Sequence, residues 1–243
     1  MAGHSKWNNI KNKKGKEDAK RGRIFTKLGR YIMVAAKEGG PDPEYNPALK
    51  MAIDKAKAEN MPNDNIERAI KKATGEGSTA NFEEVTYEGY GPSGTAVMVK
   101  VLTDNRNRTA PEMRVAFDRN GGNLGQTGCV SFMFDRKGVL GIEENEDIDG
   151  DDLMMLAIDL GAEDFQIEDG GFEIITSPED YMTVRDGLEK EGYEFVISEI
   201  TFLPQNYTTL ETQEDIDLME KLVDTLEDND DVQEVYTNWK KVD

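Results

Sequence analysis

A chain of 243 residues with a net charge of -20, one cysteine and one histidine is long for a single core and suits two or three domains at roughly 100 to 150 residues each. Cys129 alone makes no internal disulfide and no Cys-rich zinc site, and with His4 as the sole histidine one chain cannot assemble a Ser-His-Asp, Cys-His or His-rich metal centre. Apolar runs such as Leu153 to Ile158 are core-sized, and the opening Met1 to Lys6 has no apolar stretch behind it, so a soluble cytoplasmic protein without membrane contact or secretory leader is expected.

In chain order, a basic lead is followed by three amphipathic helices. From Asp18 to Lys37, Ile24, Leu28, Tyr31, Ile32 and Ala35 recur at helical spacing until Gly39-Gly40 stops the run. Asn46-Pro47 is an N-cap with proline in the first turn, and Leu49, Ala52, Ile53 and Ala56 line one face of the second helix. Pro62 interrupts, and Ile66, Ala69, Ile70 and Ala73 form a third helix before a Gly/Ser linker. These stripes can bury one another as a small bundle over residues 1–80.

Beyond the linker the period changes to two. Glu84 to Tyr87 and Thr95 to Thr103 read as a hairpin, Thr109-Ala-Pro-Glu112 as a capping box opening a helix to about Arg119, and Cys129 to Phe134 as a further strand. Residues 135–202 then give strand, helix, strand, strand, helix, strand, the ferredoxin-like order. The helices are Asp151 to Leu160 and Pro178 to Glu191, and the last strand is Glu194 to Ile200. A helix from Glu214 to Leu226 and a strand from Val232 to Tyr236 close the chain. They supply what residues 81–134 lack for a sandwich. The expected class is therefore α+β: a helical domain, a discontinuous middle domain of 81–134 plus 203–243, and an inserted ferredoxin-like domain over 135–202.

Charge is divided accordingly. Residues 1–80 hold 17 Lys and Arg against 10 Asp and Glu, or +7, while residues 81–243 hold 12 against 39, or -27. The insertion alone has four basic and 21 acidic residues. Lys16, Lys20, Arg23, Lys27 and Arg30 follow one another at steps of four and three, within an arc of about 80° on one helix. Arg21 is beside them; Lys6, Lys11, Lys13 and Lys14 precede them, with Trp7 available to stack. A positive ridge of this kind neutralises phosphates and releases counterions, so nucleic-acid binding is expected of it, although many such runs are only solvated faces.

Gly89-Tyr-Gly91-Pro-Ser-Gly94 matches a dinucleotide fingerprint literally, but a strand follows it instead of a helix, so it reads as a hairpin loop. The loop holding Gly121, Gly122, Gly125 and Gly128 lacks a P-loop ending; it is either a connector or a partner-contacting loop. Arg106 and Arg108 stand at a strand-to-helix junction, where they could hold phosphate or simply pair with Asp104. The acidic run from Asn145 lacks the bidentate glutamate of a calcium loop. Cys129 has no histidine to activate it. No catalytic residue, cofactor or metal site emerges.

The blocks MAGHSKWNNIKNKK, DAKRGRIFTKL, NMPNDNIERAIKK, YEGYGPSGTAVMVKVLTDNRNRT, GGNLGQTGCVSFMF and LEDNDDVQEVY resemble the YebC family from Met1 to about Tyr236. The resemblance implies a three-domain cytoplasmic protein with an N-terminal helical domain, two α/β domains and no catalytic residues. It also implies a regulator of gene expression. The target would be promoter DNA, as in a transcriptional regulator, or ribosomal RNA or tRNA on the ribosome, as in a translational activator that helps synthesis through proline-rich stretches. A body at -27 and no evident helix-turn-helix suit RNA; the family's usual name suits DNA. The acidic insertion is a further candidate, as a docking face for a protein partner.

Overall fold

The computed structural model describes residues 21–75 and 82–241. It is of the α+β class, and it divides into two compact units, one formed by Asp18–Met133 with Leu210–Trp239 and the other containing Phe134–Thr209.

The first unit begins with α1 (Arg21–Gly39), α2 (Pro47–Ala58) and α3 (Asn63–Thr74). Their apolar stripes form one core of Leu28, Ile32, Leu49, Ala56, Ile66 and Ala73 with their neighbours. Asn46 accepts from the Leu49 amide as the α2 cap. Its own amide donates to Ala35 O at 2.7 Å and Gly40 O at 2.8 Å, so one buried side chain closes α1 and opens α2.

The sheet of this unit has β1 (Glu83–Tyr90), β2 (Ala96–Thr103), β3 (Asn123–Leu124) and, from the end of the chain, a strand over Val232–Thr237. Their order is β3-β1-β2 and then the late strand, all antiparallel. Val97, Val99 and Val101 of β2 face a core that includes Met113 and Phe117 of α4 (Arg106–Arg119) and Met219 and Leu222 of the late helix. The sheet is complete only when residues from before and after 134–209 meet.

The second unit contains β4 (Phe134–Glu143), α5 (Gly150–Asp159), β5 (Asp164–Glu168), β6 (Gly171–Thr176), α6 (Tyr181–Lys190), β7 (Ile197–Pro204) and a short β8 (Thr208–Thr209). The antiparallel order β5-β6-β4-β7 is that of a ferredoxin-like sheet. Both helices lie on one face. Gly138 lets α6 approach closely, since a Cβ there would stand 2.6 Å from the Tyr181 ring. The remaining elements are α7 (Gln213–Glu227), β9 (Val232–Thr237) and the two-residue β10 (Trp239–Lys240).

Several boundaries differ from those the sequence suggested. Residues 129–133 are a turn and a 3-10 segment (Ser131–Met133), and the strand starts at Phe134. The Val130 and Ser131 amides are drawn to the Glu88 carboxylate and those of Cys129 and Met133 to the carbonyls of Gln126 and Val130, so these are lost to any ladder. The helix expected from Thr109 opens at Arg106 with Asn105 as its cap, which leaves Thr109 buried inside it. The helix expected from Pro178 runs from Tyr181, and the strand expected over 194–200 covers Ile197–Pro204. The start of α1 and the Gly/Ser linker after Gly75 lie outside the described residues.

Candidate nucleic-acid interface

Three ridge residues of α1 face the sequence that closes the first unit. Arg23 pairs with Asp228. Lys27 donates to Glu227 O at 2.6 Å, at the C-terminus of α7, where unpaired carbonyls and the helix dipole favour a cation. Arg30, largely buried, donates to Asp230 O at 2.7 Å and to the Asp231 carboxylate at 2.8 Å, and lies 5.3 Å from the Phe82 ring centroid. Over Arg23 to Arg30 the ridge is thus a joint between bundle and sheet, facing an acidic loop of the same chain. Lys6, Trp7, Lys11, Lys13, Lys14, Lys16 and Lys20 lie outside the described residues, as does the Arg21 side chain.

Asp231 is the centre of that joint. Its side chain receives Arg30, Arg108 Nη2 at 2.8 Å, Thr109 Oγ1 at 2.7 Å and Thr103 Oγ1 at 3.0 Å. Burial alone would raise this carboxyl; the bonds from Arg108, Thr109, Arg30 and Thr103 outweigh it and hold the group at about 2. The bonds to Asp231 and then to Asp104 raise the Arg108 guanidinium above its ordinary value. Arg108 also reaches Asp104 at 3.0 Å, so the phosphate clamp it suggested is already filled by carboxylates. Arg106 is exposed, 3.6 Å from Glu83.

The glycine-rich loop has its own internal anion. The Glu88 carboxylate, buried in β1, accepts from the amides of Gly128 at 2.8 Å, Val130 at 2.9 Å and Ser131 at 2.7 Å. Burial would raise its carboxyl, but these amides outweigh the effect and lower it. Gly122 is fixed by space, since a Cβ would stand 2.6 Å from Tyr90 O, and at Gly125 it would meet Cys129 Sγ at 2.6 Å. Gly121 and Gly128 take φ of 72° and 89°, which side chains disfavour. Burial and the nearby Glu88 push the Cys129 thiol up, away from a nucleophile's range. Phe132 and Tyr90 are exposed at the edge of this loop.

The sequence reading missed a second group of cations. Lys50 and Lys57 on α2, and Arg68, Lys71 and Lys72 on α3, are exposed. Among the described residues none of the five has an ion pair. Their spacing of seven on α2, and of three and four on α3, sets them along helix faces and was visible in the sequence. The four residues Glu59 to Pro62 that join the two helices have the length of a helix-turn-helix connection. Among the described residues no group of three or more His, Cys, Asp or Glu is set to hold a metal, and no helix is long and apolar enough to cross a membrane.

A cationic helical bundle fixed to a divided sheet that carries a ferredoxin-like insertion defines a class of multidomain α+β protein in which the amino end bears the positive charge. A family model for the TACO1/YebC N-terminal domain matches residues 5–76, and one for the TACO1/YebC second and third domain matches residues 82–239. The chain belongs to the TACO1/YebC family. Relatives named as probable transcriptional regulatory proteins include one from Acetivibrio thermocellus, 64% identical over 98% of this chain and 99% of that protein. Another, from Finegoldia magna, is 59% identical over 98% and 99%. The crystal structure of a conserved hypothetical protein from Aquifex aeolicus superposes with a TM-score of 0.85 at 48% identity, covering 97% of this chain and 96% of that one.

Proposed function

We propose that this protein is a non-enzymatic regulator of gene expression that binds DNA through its basic N-terminal domain. The observation that carries the reading is the unpaired cationic surface of Lys50, Lys57, Arg68, Lys71 and Lys72 on a bundle that continues the lysine-rich lead, in a chain whose remainder is acidic. Phosphate contacts supply the affinity, and the acidic body keeps the duplex at one end. The short turn between α2 and α3 supports DNA as the target, because a second helix on such a turn is a groove-entering element. The names of the relatives support transcription. A second reading, a translation factor on ribosomal RNA or tRNA, draws support from Phe132 and Tyr90, exposed at the edge of the glycine-rich loop, since exposed aromatic rings can stack on unpaired bases.

We further propose three domains: the bundle over 1–80, the divided sheet domain, and the insertion. Replacing Arg68, Lys71 and Lys72 together by Glu should weaken binding of a labelled DNA duplex at least about tenfold and flatten the salt dependence by roughly 0.9 in log K per lost contact. Thermal unfolding should stay nearly unchanged, since all three side chains are exposed. Unchanged anisotropy titrations would overturn the role of this face. Ribosome co-sedimentation run beside chromatin crosslinking from the same cells decides between the targets.

A further inference from the structure

Helix α5 turns Leu153 and Ala157 inward and buries them, and it presents a different set of residues to solvent. Met155 is 61% exposed and Ile158 54%. At 100° per residue, Ile158, Asp151, Met155, Asp159 and Asp152 fall within an arc of about 120°. The two apolar side chains therefore adjoin one another, one turn apart, with three exposed carboxylates around them. Single apolar side chains in water are ordinary, but an adjoining pair rimmed by charge is the form an interaction surface takes.

The stability of the helix itself does not account for this face. Asp149 caps the first turn, and Asp151 and Asp152 lie at the positive end of the helix dipole. Asp159 lies at the opposite end, where a carboxylate opposes the dipole, and α5 has no basic residue in its last turn. Ile158 is β-branched, which restricts its rotamers in a helix without the compensation of burial. Among the described residues, none of Asp151, Asp152 and Asp159 has an ion pair.

Charge selects the occupant. The ten residues from Glu143 to Asp152 include seven acidic and no basic side chains, and residues 135–202 carry 21 acidic against four basic. Nucleic acid, an anionic lipid surface and a second copy of the same face are all repelled. We propose that this face of α5 docks a basic amphipathic helix of a partner protein. Apolar residues of that helix, three or four apart, pack beside Met155 and Ile158, and its Lys or Arg side chains pair with Asp151, Asp152 and Asp159. Asp151 and Asp159 are about 12 Å apart along the axis, so the matching cations of the partner are roughly eight residues apart. The unbranched thioether of Met155 adapts to more than one partner surface. A contact confined to one helix face is weak and exchangeable. The docking does not rest on the nucleic-acid reading.

Two measurements on the full chain test it. In the first, a synthetic leucine-lysine helix of about 14 residues, its leucines on one face, is titrated into protein with isotope-labelled methionine methyls. The Met155 signal, identified by its loss in Met155→Leu, should shift; a signal that stays in place overturns the proposal. A peptide of the same composition with its leucines scattered round the helix should bind at least about tenfold more weakly, and equal binding would mean that charge alone acts. In the second, Met155→Ser with Ile158→Ser should weaken the first peptide at least about tenfold, with thermal unfolding nearly unchanged because both side chains are exposed. Asp151→Asn, Asp152→Asn and Asp159→Asn together should weaken it as well, whereas Glu189→Gln with Glu191→Gln, at the end of α6, should not. Equal losses in these two acidic variants would place the binding elsewhere than on α5 and overturn the proposal.

Discussion

Arg30 shows how one side chain's chemistry can be read from the sequence without its partner inside the chain. Its charge, its place on α1 and its fitness for oxygen anions were all legible; the anion is Asp231, 201 positions later. Replacing Asp231 by Asn removes the carboxylate that two guanidiniums share, while Arg108 keeps Asp104 and Arg30 keeps the Asp230 carbonyl, and should cost about 1–3 kcal/mol in urea unfolding. The pH dependence follows from the lowered carboxyl. A group held at about 2 against an ordinary 3.8 resists protonation in the folded state, so its contribution, roughly 2 kcal/mol, is complete above about pH 4 and fades as pH falls toward 2. The wild type should therefore lose stability over that window more steeply than Asp231→Asn, and equal slopes would contradict the assignment.

At the level of elements, periodicity found the helices and most strands, because each buries a stripe or an alternating face. It failed at Cys129 to Phe134, where β-prone residues are held as a turn by the distant Glu88. Nothing local announces that a carboxylate 40 residues earlier will claim the Gly128 amide. Glu88→Gln keeps the shape and removes the charge, and should speed hydrogen exchange at Gly128, Val130 and Ser131 while lowering stability by about 1–3 kcal/mol. The glycines of that loop divide by what surrounds them. Gly122→Ala drives a methyl into the Tyr90 carbonyl and should cost about 1–3 kcal/mol in thermal unfolding, whereas Gly125→Ala meets a thiol that can rotate and should cost less. Equal costs would mean that the backbone at Tyr90 yields.

For the whole molecule, the division of charge was the most readable property, since it needs only counting. The ferredoxin-like order of the insertion was equally plain from six alternating elements. What counting could not give was how the two charge regions are shared inside the molecule. Basic Arg23, Lys27 and Arg30 and the acidic run from Glu227 to Asp231 are each conspicuous in the sequence, and their pairing closes the first unit. The exposed remainder, on α2 and α3, is what the proposed nucleic-acid reading depends on.

The separation between Arg30 and Asp231 also has a temporal side. During synthesis at about 5–20 residues per second, the bundle emerges on the order of ten to forty seconds before the aspartate that anchors it. Throughout that interval β2 lacks its late neighbour, and the ferredoxin-like unit, whose strands are contiguous, is free to form first. A newborn chain therefore carries Arg23, Lys27 and Arg30 without these partners until the segment around Asp231 has left the exit tunnel, and only then does the molecule acquire a latch.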